Sequence, residues 1–329
     1  MTTRELTYAQ AMREGFAQML TQDERVFVIG QGVWSPWYAG TTISDLDKEF
    51  GRERIIDSPV SEVGTTGAAI GAAMVGMRPV VFHPRMDFMM HATDAIVNQA
   101  ANWYYMTGGL VSVPLTVRAC VNRGGEQAAQ HAQSTHAWYM HVPGLKVVMP
   151  STPSDAKGLL IASINDDNPV IYIDDRWLYD DVEEVPEEIY EIPIGKAALR
   201  CEGQDATVVA TSYMAREAVT AAGELKKRGI SVDVIDLRSI KPLDKEMVLK
   251  SVRKTGRLIT ADGGWLTGGI GSEIAAIVAS EDVDALKAPV VRVALADQPA
   301  PMSKPLEDSF FIDSSHIVTA VENLLRPHP

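Results

Sequence analysis

In the stretch IDSPVSEVGTTGAAIGAAMVGMRPV, residues 56–80, the only ionisable side chain between Val60 and Arg78 is the carboxylate of Glu62. It stands at the entrance to a run from Thr65 to Met77 built of Gly, Ala, Val, Ile, Met and Thr, which reads as a buried helix. Glycines 64, 67, 71 and 76 weaken such a helix by about 0.8 to 1 kcal/mol each, so they mark a place where a neighbouring backbone comes close. A carboxylate there is either held by backbone donors at the helix start or kept for a ligand.

His131 is the second candidate. It lies in NRGGEQAAQHAQ, a segment as rich in small and amide side chains as a site loop tends to be. His136 and His141 follow at spacings of five, each a turn of about 140° on a helix, so the three do not share a face and do not read as a metal cluster. His83 and Arg85 add basic groups in FHPRMDF. The glycines of GGWLTGGIGSE invite a dinucleotide reading, but that turn needs its glycines directly between strand and helix. Here Asp262 ends the strand and a Trp-containing loop intervenes. By itself SINDDNP, at 163–169, is a helix end followed by an Asn-Pro turn.

Strands and helices must hold these groups. RVFVIG, RPVVF, VPLTVRA, LKVVMP and PVIYID read as buried strands, separated by helical patterns at 8–20, at the Gly/Ala run, at 89–105 and at 154–166. The alternation predicts an α/β fold with a parallel sheet covered on both faces. The acid-rich DDVEEVPEEIYE, 180–191, reads as a solvated connection. Beyond it TVVATS, SVDVIDLR, GRLITAD and PVVRVAL alternate with further helices. Two parallel-sheet domains, 1–185 and 186–329, are therefore expected, in keeping with a length of 329 residues. A net charge of −13 argues against nucleic acid or an anionic membrane as partner. Two cysteines without CxxC spacing, and no signal-like or membrane-length apolar run, predict a cytoplasmic protein.

The motifs in order, RIIDSPVSEVGTTGAAIGAAMVGMRPV, NQAANWYYMTGG, AAQHAQSTHAWYMHVPGLKVVMPSTPSDAKGLL, SINDDNPVIYI, DLRSIKPLD, TADGGWLTGGIGSEI and DQPAPMSKPLED, resemble the β subunit of the E1 component of thiamine-diphosphate-dependent 2-oxo acid dehydrogenases. The resemblance runs through essentially the whole chain. It implies a pyrimidine-binding domain followed by a transketolase C-terminal domain. It also implies decarboxylation of a 2-oxo acid, or cleavage of acetoin, with transfer of the acyl group to a lipoyl arm. A transketolase-type or acyloin-synthase-type subunit with an aldehyde acceptor is the alternative, and a non-catalytic assembly subunit the third.

By the same resemblance Glu62 is the acid that hydrogen-bonds N1′ of the cofactor's aminopyrimidine, Phe88 the aromatic packed on that ring, and His131 the histidine that stabilises or protonates intermediates. His141 matches a family position, whereas His83 and His136 do not. Carbonyls of Ser163, Ile164, Asp166 and Asn168 are implied ligands of a potassium ion. The chain lacks the GDG…Asn pattern that holds Mg²⁺ and pyrophosphate, so an α subunit is expected to supply it in an α2β2 assembly, with a lipoyl acyltransferase (E2) as a further partner. Gln31 replaces an acid found in many members. His83, Arg85 and His136 are taken as candidate substrate contacts, Arg85 suiting a second carboxylate or phosphate on the oxo acid.

Overall fold

The computed structural model describes residues 2–326 and divides into two compact units. The first runs to Asn122 and resumes over Trp138–Ile194; the second comprises Arg123–Ala137 and everything from Gly195 onward. The chain thus leaves its first unit for fifteen residues, 123–137, and returns. The sequence reading placed the division at 185/186.

In the first unit the strands are β1 (Thr3–Thr7), β2 (Val26–Gly30), β3 (Ile55–Asp57), β4 (Arg78–His83), β5 (Thr116–Val121), β6 (Lys146–Val148), β7 (Val170–Asp175) and β8 (Val182–Pro186). Neighbours in the main sheet follow the order β6-β7-β5-β4-β2-β3, and their pairings are parallel. Every residue of β5 and β7 is buried, as expected of central strands covered on both faces. The helix Tyr8–Gln22 starts at a reciprocal cap between Thr7 and Gln10 and packs on the helix Pro153–Asn165. That second helix has Pro at its first position and Thr152 as N-cap. It buries Lys157, whose Nζ is held by Glu14 Oε1 at 2.6 Å and the carbonyls of Pro186 (2.6 Å) and Glu188 (2.9 Å). Burial pushes this ammonium down to about 8, and the Arg4 charge adds to the effect.

Three expectations are corrected here. Part of the acid-rich run is β8, paired antiparallel with β1; its Val185 is buried, while Val182 and Glu184 face out. The helix Glu62–Met74 is only half buried: Thr66, Ala69, Ile70 and Ala73 face inward, while Val63, Gly64, Gly67, Ala68 and Gly71 are exposed. Among the described residues nothing stands within 4 Å of a Cβ built at Gly67 or Gly71, so the close neighbour that the glycines imply is not found among them. Residues 89–105 are not one helix but a 3₁₀ turn (Met90–Ala92), a π-helical stretch (Ala95–Ala100) and a short α-helix (Trp103–Met106). Widened turns of this kind break the regular spacing that the sequence pattern assumed.

The second unit has β9 (Ala198–Cys201), β10 (Ala206–Ala210), β11 (Val232–Asp236), β12 (Ser239–Lys241), β13 (Leu258–Trp265) and β14 (Val291–Leu295). Its sheet has the order β14-β13-β10-β11-β9, with β9 antiparallel at the edge and the others parallel. Helices Tyr213–Lys227, Lys245–Thr255, Ile270–Asp282 and Ser314–Leu325 cover it. In both sheets successive strands run outward in opposite directions from one point, between β2 and β4 in the first and between β10 and β13 in the second. Outside the carboxyl ends of the strands flanking such a point, an open α/β sheet leaves a crevice.

Candidate active site

The crevice of the first unit is a small cleft whose wall includes Gly30 at the end of β2, Phe82 and His83 at the end of β4, and Ser61 and Glu62. It therefore sits where the fold itself opens a gap. Gly30 is required by the close packing of the two strands, since a Cβ there would stand 2.2 Å from the Phe82 carbonyl oxygen. Asp57, at the end of β3, accepts from the backbone N–H of Gly32 at 2.6 Å and Val33 at 3.1 Å and so shapes the turn that carries Gln31.

Glu62 opens the helix Glu62–Met74, with Ser61 as N-cap and no side-chain cap bond. Its side chain is 12% exposed, and its polar contact is with His91 Nδ1, 3.4 Å from Oε2. Among the described residues no backbone N–H donates to this carboxylate, so of the two readings offered by the sequence, capping is not the one realised.

His83 is 2% exposed, and its Nε2 lies 3.3 Å from Thr66 Oγ1. Burial pushes its pKa down to about 4, against a smaller opposing pull from the Glu62 charge. Burial therefore favours its neutral form, which weighs against His83 as a cationic reader of a substrate anion. Arg85 follows in the same segment, half-buried, with Nη1 donating to the Pro84 carbonyl at 3.2 Å. Burial and the Arg176 charge lower its pKa, while Cys120, Asp87 and Tyr179 oppose them. Phe88, on the short helix Met86–Met89, is half-buried and is not part of the cleft wall.

Behind Phe82 lies a buried polar network that the sequence reading missed. The Arg118 guanidinium is 5.0 Å from the Phe82 ring centre and fully buried. It donates from Nε to Asp174 Oδ1 at 2.9 Å, and from Nη2 to Asp174 Oδ2 at 3.0 Å and Tyr179 Oη at 3.1 Å. Tyr179 Oη also donates to Asp174. The only trace in the sequence is one charged residue inside the apolar run VPLTVRA.

The histidines of 131–141 are divided between the units. His141 is exposed and lies in the first. In the second, His131 is half-buried, whereas His136 is 1% exposed. His136 Nδ1 is 2.9 Å from Ser134 Oγ and its Nε2 is 2.9 Å from Asp262 Oδ1. Both ring nitrogens thus face side chains of this unit, which leaves His136 no exposed edge for a substrate.

At the turn 163–168, Arg78 Nη1 donates to the carbonyls of Ile164 (3.0 Å) and Asp166 (3.1 Å). Ser163 Oγ donates to the Leu159 carbonyl at 2.6 Å, and Asn168 N donates to Asp166 Oδ1 at 2.9 Å. A guanidinium therefore already supplies positive charge to the carbonyls expected to hold potassium. Among the described residues no cluster of three or more His, Cys, Asp or Glu side chains could hold a metal ion, and no helix is long and apolar enough to cross a membrane.

Residues 4–180 match the transketolase pyrimidine binding domain and residues 195–317 the transketolase C-terminal domain. The chain is 42% identical over 318 residues to the pyruvate dehydrogenase E1 component subunit beta of Rhizobium meliloti (strain 1021), covering 96% of this chain and 69% of that one. It is 40% identical to the same subunit of Rickettsia felis, over 97% of this chain and 98% of that one. To the mitochondrial subunit of Rattus norvegicus it is 42% identical, over 98% and 91%. In structure it is similar to a split gene transketolase described as an inactive beta4 tetramer, with a TM-score of 0.80, 23% identity and coverage of 97% and 98%. That last likeness shows the fold.

Proposed function

The chain belongs to the family of pyruvate dehydrogenase E1 β subunits, thiamine-dependent 2-oxo acid dehydrogenase components with transketolase-type domains, and from that premise we propose that it supplies the aminopyrimidine half of a thiamine diphosphate site completed by an α subunit. The observation that carries this reading is Glu62. A largely buried carboxylate at the switch-point crevice, not used to cap its helix, beside the buried imidazole of His83, suits a heteroaromatic nitrogen that must share a proton.

When bound, the cofactor supplies a thiazolium carbon nucleophile and an electron sink for decarboxylation. Glu62 holds a proton at N1′ of the aminopyrimidine, in a site with too little water to take that proton away. Phe88, on the short helix that follows β4, would pack against the ring. His83, neutral, keeps a second positive charge away from the protonated ring. His131 gives or holds a proton at the substrate oxygen. Arg85 recognises an anionic group on the 2-oxo acid.

Mg²⁺ and the pyrophosphate fall to the α subunit, in an α2β2 arrangement, and the acyl group passes to a lipoyl arm of a cytoplasmic complex. The exposed small-residue face of Glu62–Met74, flanked by Val60 and Val75 at 70% and 82% exposure, supports burial against another chain. On this reading Arg78 stands in for potassium at Ile164 and Asp166. The decisive experiment compares the purified chain, alone and mixed with its α subunit, for 2-oxo acid turnover with thiamine diphosphate and Mg²⁺. Turnover is expected only in the mixture, and full activity of the single chain would overturn the shared site. Acyl transfer to an aldehyde but not to a lipoyl domain would move the protein to the transketolase side of the family.

A further inference from the structure

The second unit also has a switch-point crevice, at the ends of β10 and β13, and it is filled by the chain's own segment 123–137. Arg123 spans it: the guanidinium is 5.1 Å from the ring centre of Tyr213, just beyond β10, and Nη1 donates to the carbonyl of Gly263, in β13, at 3.3 Å. A Cβ at Gly263 would stand 2.2 Å from Arg123 Nη2, and one at Gly264 would stand 3.0 Å from His136 Cε1. The segment therefore packs closely against the backbone of Gly263 and Gly264.

It is held at both ends by polar contacts. Near the start, Glu126 N donates to Glu307 Oε1 at 3.0 Å and Oε2 at 3.1 Å, with positive φ at Gly124, Gly125, Glu126 and Ala128 folding the backbone back on itself. At the far end His136 meets Asp262, with side chains 1% and 2% exposed. Asp262 is itself fixed by the backbone N–H of Gly264 at 3.0 Å and of Ile270, at the start of a helix, at 3.3 Å. An apolar plug would fill the same space without removing charge from water. A buried pair in close contact favours one placement of the loop over shifted ones, and its attested use is to set register. Between these anchors lies His131, half-buried.

We propose that the His136–Asp262 pair is a positioning device for His131, fixing the register of its loop in the crevice of the C-terminal domain so that the imidazole meets the substrate. The inference rests on the role given above to His131. The test uses the assembled enzyme and three variants of this chain, His131→Ala, His136→Ala and the double variant. His136→Ala should lower kcat by about 10- to 100-fold, the scale for ångström-level misplacement of a reacting group. KM for the 2-oxo acid should change little. In the His131→Ala background the same substitution should have no further effect on kcat, because its whole influence passes through His131. His136→Gln, which retains a donor toward Asp262, should recover most of the loss. If His136→Ala does not assemble, Asp262→Asn enters the same cycle.

An unchanged kcat in His131→Ala would overturn the role of His131 itself. A fall there, with His136→Ala at full activity or with the two losses multiplying, would overturn the positioning role alone.

Discussion

His91 Nδ1 stands 3.4 Å from Glu62 Oε2, and the histidine side chain is 71% exposed where the carboxylate is 12% exposed. A long contact to a solvated partner contributes little. It leaves Glu62 oriented but available.

Glu62→Gln keeps volume and some hydrogen bonding, so folding and subunit assembly should survive. Turnover of the assembled enzyme should fall by about 10²-fold or more, the range for a positioned proton-transfer group. Exchange of the cofactor's C2 proton for deuterium, which needs no substrate, should slow in parallel. An unchanged exchange rate would remove Glu62 from the chemistry.

His83 gives the protein a defined acid sensitivity. Its pKa falls from 6.5 to about 4 in the fold, so between those values the unfolded chain binds the extra proton. Stability is fully present above about pH 6.5 and is lost as pH falls toward 4, by on the order of 3 kcal/mol from this group. Replacing it with the uncharged His83→Met should flatten the urea midpoint of the first unit across that window. A midpoint that keeps its full slope would assign the sensitivity elsewhere.

Arg118→Met should destabilise the first unit by about 3–5 kcal/mol, because it strands Asp174 as a buried charge without its cation. Adding Asp174→Leu should recover much of that loss in denaturant melts. Equal losses in the single and double variants would show that packing of the arginine stem, not charge, sets the penalty.

For Arg85→Met, KM for the native substrate should rise while pyruvate turnover is spared, since a desolvated charge-assisted contact is worth about 1.5–3 kcal/mol. Equal losses with both substrates would make Arg85 structural.

Activity should be indifferent to exchanging potassium for sodium, because Arg78 already charges the carbonyls of Ile164 and Asp166. A steep potassium dependence would show that an ion shares those carbonyls with the guanidinium.

How much of this was legible depended on chain separation and on what covers each surface. β4, β5 and β7 are buried throughout or nearly so, and their apolar runs announced them. Glu62 was visible because nothing else ionisable stands near it in sequence. The helix it opens was misjudged because an exposed face of small apolar residues has the composition of a buried one. β8 was hidden by the acids on its exposed side. His136 and Asp262 lie in different halves of the sequence, and neither has a local pattern that announces the other. Arg118 was invisible as a network centre because its partners, Asp174 and Tyr179, come from a different strand and a later turn.

The excursion of residues 123–137 also orders events during synthesis. Arg123, Glu126 and His136 leave the ribosome long before Gly263, Asp262 and Glu307 have been joined to the chain. The strands of the first unit, through β8, are synthesised while this loop has nowhere to dock. Domains generally form as units from the N-terminus onward, but here the earlier one must wait for the later to tether its loop. A nascent chain stalled before β13 would carry an untethered His131, so competence for chemistry arrives only with the last third of translation.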